Sequence, residues 1–175
     1  MTEPIVSEDL IVLQPDVDPP TADRVITLLC ERLVAKGYVE PSYCQAVLER
    51  ERRFPTGLPT LPYHTAIPHA DADGVKRTGV AIAILEQPIP FRAMDDPDKY
   101  LDIRVVLLMA VADPARQISM LQWVCTALQN QDVVEALASA QKPEVVLAIL
   151  NALMSKNTTK NNNIVREVEI GVRNR

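Results

Sequence analysis

The chain has 175 residues, 47% of them apolar and 23% charged, which suits one domain with a real core and excludes global disorder. Its longest apolar run, residues 105–112, is far shorter than the ~20 residues that cross a bilayer, so no direct membrane insertion is expected. The net charge of −5 divides unevenly, because residues 156–175 hold five Lys or Arg against two acids and the remainder is acidic. An acidic body repels phosphate backbones, so nucleic acid is not an expected partner.

The first residues have neither a basic start nor an apolar stretch of the secretory kind, so we expect a cytoplasmic protein. Its three cysteines, Cys30, Cys44 and Cys125, lie at no metal-ligand spacing and are odd in number, which argues against a disulfide framework or a zinc site. Each falls in an apolar helical pattern. We therefore expect reduced thiols that pack as small hydrophobic groups and do not act as nucleophiles.

The first half of the chain predicts one strand and two helices. A short β-branched run over residues 9–14 predicts a strand, and the prolines after it predict a loop. Apolar residues at helical spacing follow Thr21, and Gly37 lies where a helix needs a left-handed end. Pro41 opens a second helix whose last turn is basic. Residues 54–62 are too rich in proline and glycine for regular structure and predict a loop.

The second half predicts two buried strands and three helices. β-Branched runs at residues 80–85 and 103–109 predict the strands. Asp113 is placed as the N-cap of a long helix, and helices are also predicted over residues 132–140 and 143–154. The predicted inner face of the long helix consists of Ile118, Leu121, Cys125 and Leu128.

The alternation of these runs with amphipathic helices predicts the α/β class, as a single layered domain with a mixed β-sheet flanked by helices. We assign the domain to residues 1–155 and treat residues 156–175 as a polar linker and tail. Apolar side chains alternate at positions 168, 170 and 172, a pattern that fits an edge strand as well as a loose tail.

The only two histidines, His64 and His69, lie five residues apart in a stretch where Pro68 excludes a helix interior. In an extended segment this spacing puts them on opposite faces, which disfavours a shared metal ion, and His64 is taken as structural. His69, Asp71 and Asp73 share a face in the same geometry. A metal-dependent hydrolase site there remains an alternative, beside an ordinary polar turn.

His69 follows a proline, so its ring stands on a stiff backbone. A neutral imidazole near pH 7 offers one nitrogen lone pair for attack on phosphorus while the other nitrogen is fixed by a hydrogen bond. From the residue alone, a structural histidine explains this position as well as a catalytic one does.

Three short segments then become recognisable together: Arg-Glu at residues 50–51, Phe-Pro-Thr-Gly at 54–57 and Ala-Ile-Pro-His at 66–69. They resemble the EIIA components of the sugar phosphotransferase system, in the fructose/mannitol superfamily, and most of all its galactitol-type branch. The most specific element is the Ile-Pro-His triplet about twenty residues after the Arg-Glu pair. The resemblance extends over about residues 8–155 and includes segments 80–85, 91–96, 103–109, 117–123 and 128–137.

This resemblance implies a mannitol/fructose-type EIIA fold and a phosphohistidine carrier that needs no metal, nucleotide or other cofactor. Such a carrier accepts a phosphoryl group from the phosphohistidine of HPr and passes it to a cysteine of an EIIB component during sugar uptake. His69 matches the family's phosphorylated histidine, and Arg50 matches its basic helix residue near the site. Arg50 would favour an approaching phosphoryl group, although a solvated helix-end charge, shared with Arg52 and Arg53, also explains it.

Further site residues are assigned from the same resemblance. Gln117 stands where fructose- and mannitol-type members carry a second histidine and where galactitol-type members carry glutamine. Its amide could donate to a phosphoryl oxygen but cannot titrate near neutrality, or it is simply an exposed polar residue. The hydroxyls of Thr56 and Thr65 bind the phosphoryl group or close turns. Ile67 and Met94 are the expected apolar docking residues for partners.

A regulatory EIIA-like protein, whose phosphorylation state controls a partner protein, is the alternative from another functional class. The same residues would serve both roles. The sugar is recognised by the membrane component, so this sequence names none, and it fixes no oligomeric state.

Overall fold

Five strands and five α-helices, after one turn of 3-10 helix at Glu8–Leu10, make up residues 4–155, the part of the chain that the computed structural model describes. The strands are β1 (Ile11–Leu13), β2 (Gly57–Leu58), β3 (His64–Ala66), β4 (Gly79–Arg92) and β5 (Tyr100–Ala110). The helices are α1 (Ala22–Ala35), α2 (Pro41–Arg53), α3 (Pro114–Leu128), α4 (Gln131–Ser139) and α5 (Pro143–Ser155). The predicted tail, residues 156–175, lies outside the described residues.

The strands form one mixed sheet in the order β1-β4-β5-β3-β2, which confirms the predicted fold class. The long strands β4 and β5 are antiparallel neighbours at the centre. β1 runs parallel to β4 on one side, and β3 runs parallel to β5 on the other. The sheet ends at β2, which pairs with β3 in antiparallel fashion.

Apolar side chains cover both faces of the central strands, so helices pack on both sides. Along β4, Ala81 and Ala83 face the core formed with α1 and α2, whereas Ile82 and Ile84 face the core formed with α3, α4 and α5. This alternation is the period of two expected for a strand with two buried faces.

The helix ends follow the capping signals in the sequence. The side chain of Thr21 accepts a hydrogen bond from the amide of Arg24 at the start of α1, and Gly37 takes the left-handed conformation (φ 75°) after its end. Pro41 occupies the first turn of α2. Asp113 caps α3 by accepting from the amide of Ala115.

Three sequence predictions were wrong in detail. β4 continues to Arg92, past the predicted end at residue 85, because an irregularity between Ile84 and Ile89 accommodates the intervening proline. Residues 54–62, predicted as a loop, contain β2, and the histidine segment begins with β3, a strand that the sequence analysis did not assign. Ile118 is 69% exposed and so does not belong to the inner face of α3, whose buried residues, Val124 and Leu128, lie in its second half.

Candidate functional site

The segment that carries His69 leaves β3 and crosses the end of β5, where it is bound on both sides through its backbone. The carbonyl of Pro68 accepts a hydrogen bond from the amide of Met109 at 3.0 Å. One residue earlier, the amide of Ile67 donates to the carbonyl of Thr56 at 3.3 Å. These bonds fix the backbone immediately before the histidine.

The residue after His69 is fixed by two side chains. The amide of Ala70 donates to the hydroxyl of Tyr43 at 3.2 Å, and this hydroxyl donates to the carbonyl of Met109 at 2.6 Å. The side-chain amide of Gln117 donates to the carbonyl of Ala70 at 2.9 Å. Helices α2 and α3 therefore both anchor the histidine segment, from opposite faces of the sheet.

The imidazole of His69 is held in one orientation and is only 8% exposed. Its Nδ1 lies 2.8 Å from the carbonyl oxygen of Ile67, and because a carbonyl only accepts, Nδ1 must carry the hydrogen. In residues 4–155 the one buried side-chain nitrogen or oxygen without a partner is Nε of Arg50. Nε2 of His69, which has no partner either, is therefore open to solvent, and in the neutral ring it bears the lone pair.

The surroundings of His69 favour the neutral ring. Burial is the largest influence and lowers the pKa of His69 below its ordinary value, and the positive charge of Arg50 lowers it further. The hydrogen bond to the Ile67 carbonyl and the charge of Asp71 raise the pKa and offset part of this shift. A neutral ring at neutral pH has its Nε2 lone pair available without the removal of a proton.

Arg50 lies in the last turn of α2 and is loosely bound. Its guanidinium is 3.9 Å from a carboxylate oxygen of Asp71 and 5.5 Å from the centre of the Phe54 ring. Its Nε is buried without a hydrogen-bond acceptor. The turn itself is fixed from β4, because the guanidinium of Arg92 donates to the carbonyls of Glu51 and Arg52. Arg50 therefore places a positive charge beside the histidine on a fixed backbone, and its Nε still has a hydrogen to donate.

Three of the predicted binding residues are buried in the structure. Thr56 is buried and its hydroxyl donates to Glu51, and Thr65 is buried with its hydroxyl bonded to that of Thr60 at 3.1 Å. Both hydroxyls are used internally, as the turn-closing alternative has it. Ile67 is also buried, so its prediction as a docking residue was wrong.

Met94 remains available as an apolar surface residue, with 44% of its area exposed. Its amide donates to the carbonyl of Gly57 at 2.8 Å, which fixes it beside β2. A Cβ at Gly57 would come within 2.6 Å of the carbonyl oxygen of Arg92, so only glycine permits this close approach. The Thr-Gly pair of the motif therefore serves the packing that surrounds the site.

Sequence reasoning missed Tyr43 and Glu51, two buried residues of α2 that belong to the site's support. With Val47 they recur at intervals of four and so share one helix face. A phenol and a carboxylate in line with a core valine were the signal that could have identified them.

No cluster of three His, Cys, Asp or Glu side chains that could hold a metal ion occurs within residues 4–155, so His69, Asp71 and Asp73 are not assembled as ligands. His64 is partly buried, with Nδ1 3.0 Å from the carbonyl of Thr60. Cys30 is buried, Cys44 and Cys125 are half-buried, and all three are free thiols. Of the helices in residues 4–155, none has the length and apolar character needed to span a membrane.

A mixed α/β domain that presents one nitrogen of a fixed, neutral histidine beside a loosely bound arginine has an arrangement that suits a group-transfer carrier. Residues 4–153 match the family model described as "Phosphoenolpyruvate-dependent sugar phosphotransferase system, EIIA 2". The chain belongs to this family, which confirms the resemblance seen in the sequence. It is a phosphotransferase component of the EIIA type, a class of carriers that works through a phosphohistidine intermediate.

Several curated relatives are similar over most of the chain. The galactitol-specific EIIA component of Escherichia coli K12 is 29% identical over 122 residues, which are 70% of this chain and 81% of the relative. The mannitol-specific enzyme IIA component of Geobacillus stearothermophilus is 31% identical over 159 residues, which are 86% of this chain and 98% of the relative. The mannitol-specific EIICBA component of E. coli K12 is 32% identical over 74% of this chain, but the match covers only 20% of that longer protein.

Solved structures show the same fold. The complex of enzyme IIA and phosphorylated enzyme IIB for mannitol from E. coli matches with a TM-score of 0.67 at 30% identity, over 83% of this chain and 96% of that one. The crystal structure of mannitol IIA from E. coli has a TM-score of 0.64 at 31% identity, over 82% and 97% of the two chains.

Proposed function

We propose that this chain is a galactitol-type EIIA component that carries the phosphoryl group on Nε2 of His69. It accepts the group from phospho-HPr and passes it to a cysteine of an EIIB component during sugar uptake. The observation that carries this proposal is the bond from Nδ1 of His69 to the Ile67 carbonyl, which leaves the lone pair on the one nitrogen open to solvent.

The chemistry balances without a cofactor. The Nε2 lone pair attacks phosphorus in the phosphohistidine of HPr, the new N–P bond forms as the old one breaks, and the leaving imidazole takes back its electron pair. Nδ1 of His69 keeps its proton throughout. In the second step a cysteine thiolate of EIIB attacks the phosphorus in line, and the breaking N–P bond returns its electron pair to Nε2.

Arg50 is proposed to stabilise the phosphoryl oxygens during both steps. Its unpartnered Nε and its loosely bound guanidinium can turn toward an anion without breaking a strong contact. Gln117 is proposed to act mainly as a support, since its amide nitrogen donates to the carbonyl of Ala70. Met94 is proposed as part of the apolar surface that partners meet, because it is the exposed member of the two predicted docking residues.

Two observations support the acceptor and the branch. A mannitol enzyme IIA that is 30% identical to this chain has been solved with phosphorylated enzyme IIB, which supports an EIIB acceptor here. The galactitol-specific relative and the glutamine at position 117 support the galactitol branch.

Phosphotransfer from ³²P-labelled phosphoenolpyruvate through enzyme I and HPr tests the proposal. His69→Ala is expected to take up no label, whereas His64→Ala, the matched control, is labelled as wild type. Equal labelling of wild type and His69→Ala would overturn the site assignment. The labelled protein is then mixed with galactitol and mannitol EIIB components. Faster transfer to galactitol EIIB is expected, and faster transfer to mannitol EIIB would contradict the branch.

A further inference from the structure

Glu51 is a buried carboxylate that the transfer chemistry does not use. It is 7% exposed and lies on the inner face of α2, directly after Arg50. Burial raises the pKa of Glu51, and only the two hydrogen bonds from Thr56 and the charge of Arg92 work in the other direction. An acid costs free energy at such a position, where an apolar residue would pack beside Val47.

The carboxylate is fully engaged with one residue of the site's support. Oε1 accepts from the amide of Thr56 at 3.0 Å, and Oε2 accepts from the hydroxyl of the same residue at 2.8 Å. A carboxylate presents acceptors alone, so it suits two donors that come from one residue. These two bonds determine where the backbone of Thr56 lies.

From Thr56 the hydrogen bonds continue to the reacting ring. The carbonyl of Thr56 accepts from the amide of Ile67 at 3.3 Å, and the carbonyl of Ile67 accepts from Nδ1 of His69 at 2.8 Å. Both peptide groups along this path are buried, which strengthens each bond and makes a broken one costly. The path therefore joins the Glu51 carboxylate to the imidazole through two residues.

We propose that Glu51 is a positioning residue for His69, which fixes the tautomer and direction of the imidazole through Thr56 and Ile67. The role rests on the proposed function of His69, and Glu51 itself touches no reacting atom. Because Arg50 and Glu51 are consecutive in α2, one helical turn then sets both the cation and the ring. The Arg-Glu and Phe-Pro-Thr-Gly motifs acquire a shared purpose, since each supplies one residue of the Glu51–Thr56 pair.

Three variants and one control test this role in the full chain. Glu51→Ala removes both acceptors, whereas Glu51→Gln accepts the Thr56 amide with its oxygen and donates to the hydroxyl with its nitrogen. Thr56→Val keeps the amide bond and loses the hydroxyl. Val146→Ala, a buried substitution on the opposite face of the sheet, is the control for loss of stability. The readouts are the ¹⁵N shifts of the His69 ring, which report its tautomer, and the rate of phosphorylation against HPr concentration.

Glu51→Ala is expected to mix the two tautomers of His69 and to lower the maximal rate about 10-fold, with the KM for HPr within about twofold of wild type. Glu51→Gln is expected to restore the single tautomer and most of the rate, and Val146→Ala to change neither. A wild-type ring signature and rate in Glu51→Ala, or equal losses in Val146→Ala, would overturn the proposal.

If Glu51→Ala does not fold, Thr56→Val applies the same test with an expected loss of about threefold, and unchanged ring shifts and rate in that variant count against the proposal. The two proposals fail separately. Absence of label on His69 in the wild type would end the proposed function, whereas the ring shifts still decide whether Glu51 sets the tautomer.

Discussion

His69 and Arg50 are neighbours in the site but are held in opposite ways. The histidine ring is buried, bonded through Nδ1 and carried on a backbone that Tyr43 and Gln117 anchor. The guanidinium of Arg50 has a distant ion pair and an unpartnered Nε. Under the proposed function, the difference means that the nucleophile is fixed before a partner arrives, whereas the cation remains free to follow a moving phosphoryl group.

Removing the Arg50 side chain should have the largest effect on the phosphorylation rate. Arg50→Ala is expected to lower the rate of phosphorylation of His69 about 100-fold, because the phosphoryl oxygens lose their nearest cation. Single-turnover labelling by phospho-HPr measures this rate. Arg53→Ala, an exposed residue of the same helix turn, is the matched control and should leave the rate unchanged. Equal rates for the two variants would contradict a role for Arg50.

Weakening the support of the His69 segment should lower the phosphorylation rate less than the loss of Arg50 does. It should lower the free energy of unfolding more. Tyr43→Phe deprives the Ala70 amide and the Met109 carbonyl of their shared partner. We expect the free energy of unfolding to fall by about 1–3 kcal/mol and the rate about 10-fold. Urea unfolding and labelling measure the two. Tyr100→Phe, which removes an exposed phenol, should change neither, and a Tyr43→Phe protein of full stability would refute the anchoring role.

The fixed ring also predicts a pH dependence. Protonation removes the Nε2 lone pair, so the rate should fall as the pH drops through the pKa of His69, which burial lowers. At pH 6.5, where an ordinary exposed histidine is about half protonated, the rate should still exceed half of its plateau value. Arg50→Ala should raise the NMR titration midpoint of His69, because the positive charge of Arg50 is one of the causes that lower its pKa. A wild-type midpoint above 6.5 would contradict the neutral-ring mechanism.

The smallest effect is expected at Asp71, the exposed partner of Arg50. Asp71→Asn removes the competing charge from the guanidinium, but a 3.9 Å pair with an exposed carboxylate is weak. The rate of phosphorylation at low salt should rise by no more than about twofold. Asp73→Asn is the control two residues further on. A large loss of rate in Asp71→Asn alone would assign Asp71 to the reaction itself.

The sequence predicted the elements whose signals are local. The cap at Asp113 and the proline at Pro41 located two helix starts, because a cap satisfies a free amide of the first turn and proline has no amide hydrogen to satisfy there. β2 and β3 were missed because strands of two and three residues exist only through pairing with neighbours. The exposure of Ile118 was missed for a related reason, since helical spacing says which residues share a face but not what covers it.

The site divides in the same way. The motif around His69 and Arg50 predicted the two groups on which the proposed function rests. The supporting residues Glu51 and Tyr43 were missed, and Gln117 was predicted as a donor to the phosphoryl group, because all three act on backbone groups of the site's segments. A backbone partner leaves no mark in a sequence motif. For this reason the sequence left open whether the Thr56 hydroxyl binds the phosphoryl group or closes a turn, and in the structure it donates to Glu51.

The hydrogen bond between the His69 ring and the main chain limits how partner proteins can bind at this site. Because Nδ1 of the ring is bonded to the Ile67 carbonyl, every partner protein must reach the ring through Nε2. Two proteins that both need Nε2 cannot bind there at the same time. Donor and recipient would therefore exclude one another, and an unreactive mimic of either one should act as a competitive inhibitor of both half-reactions.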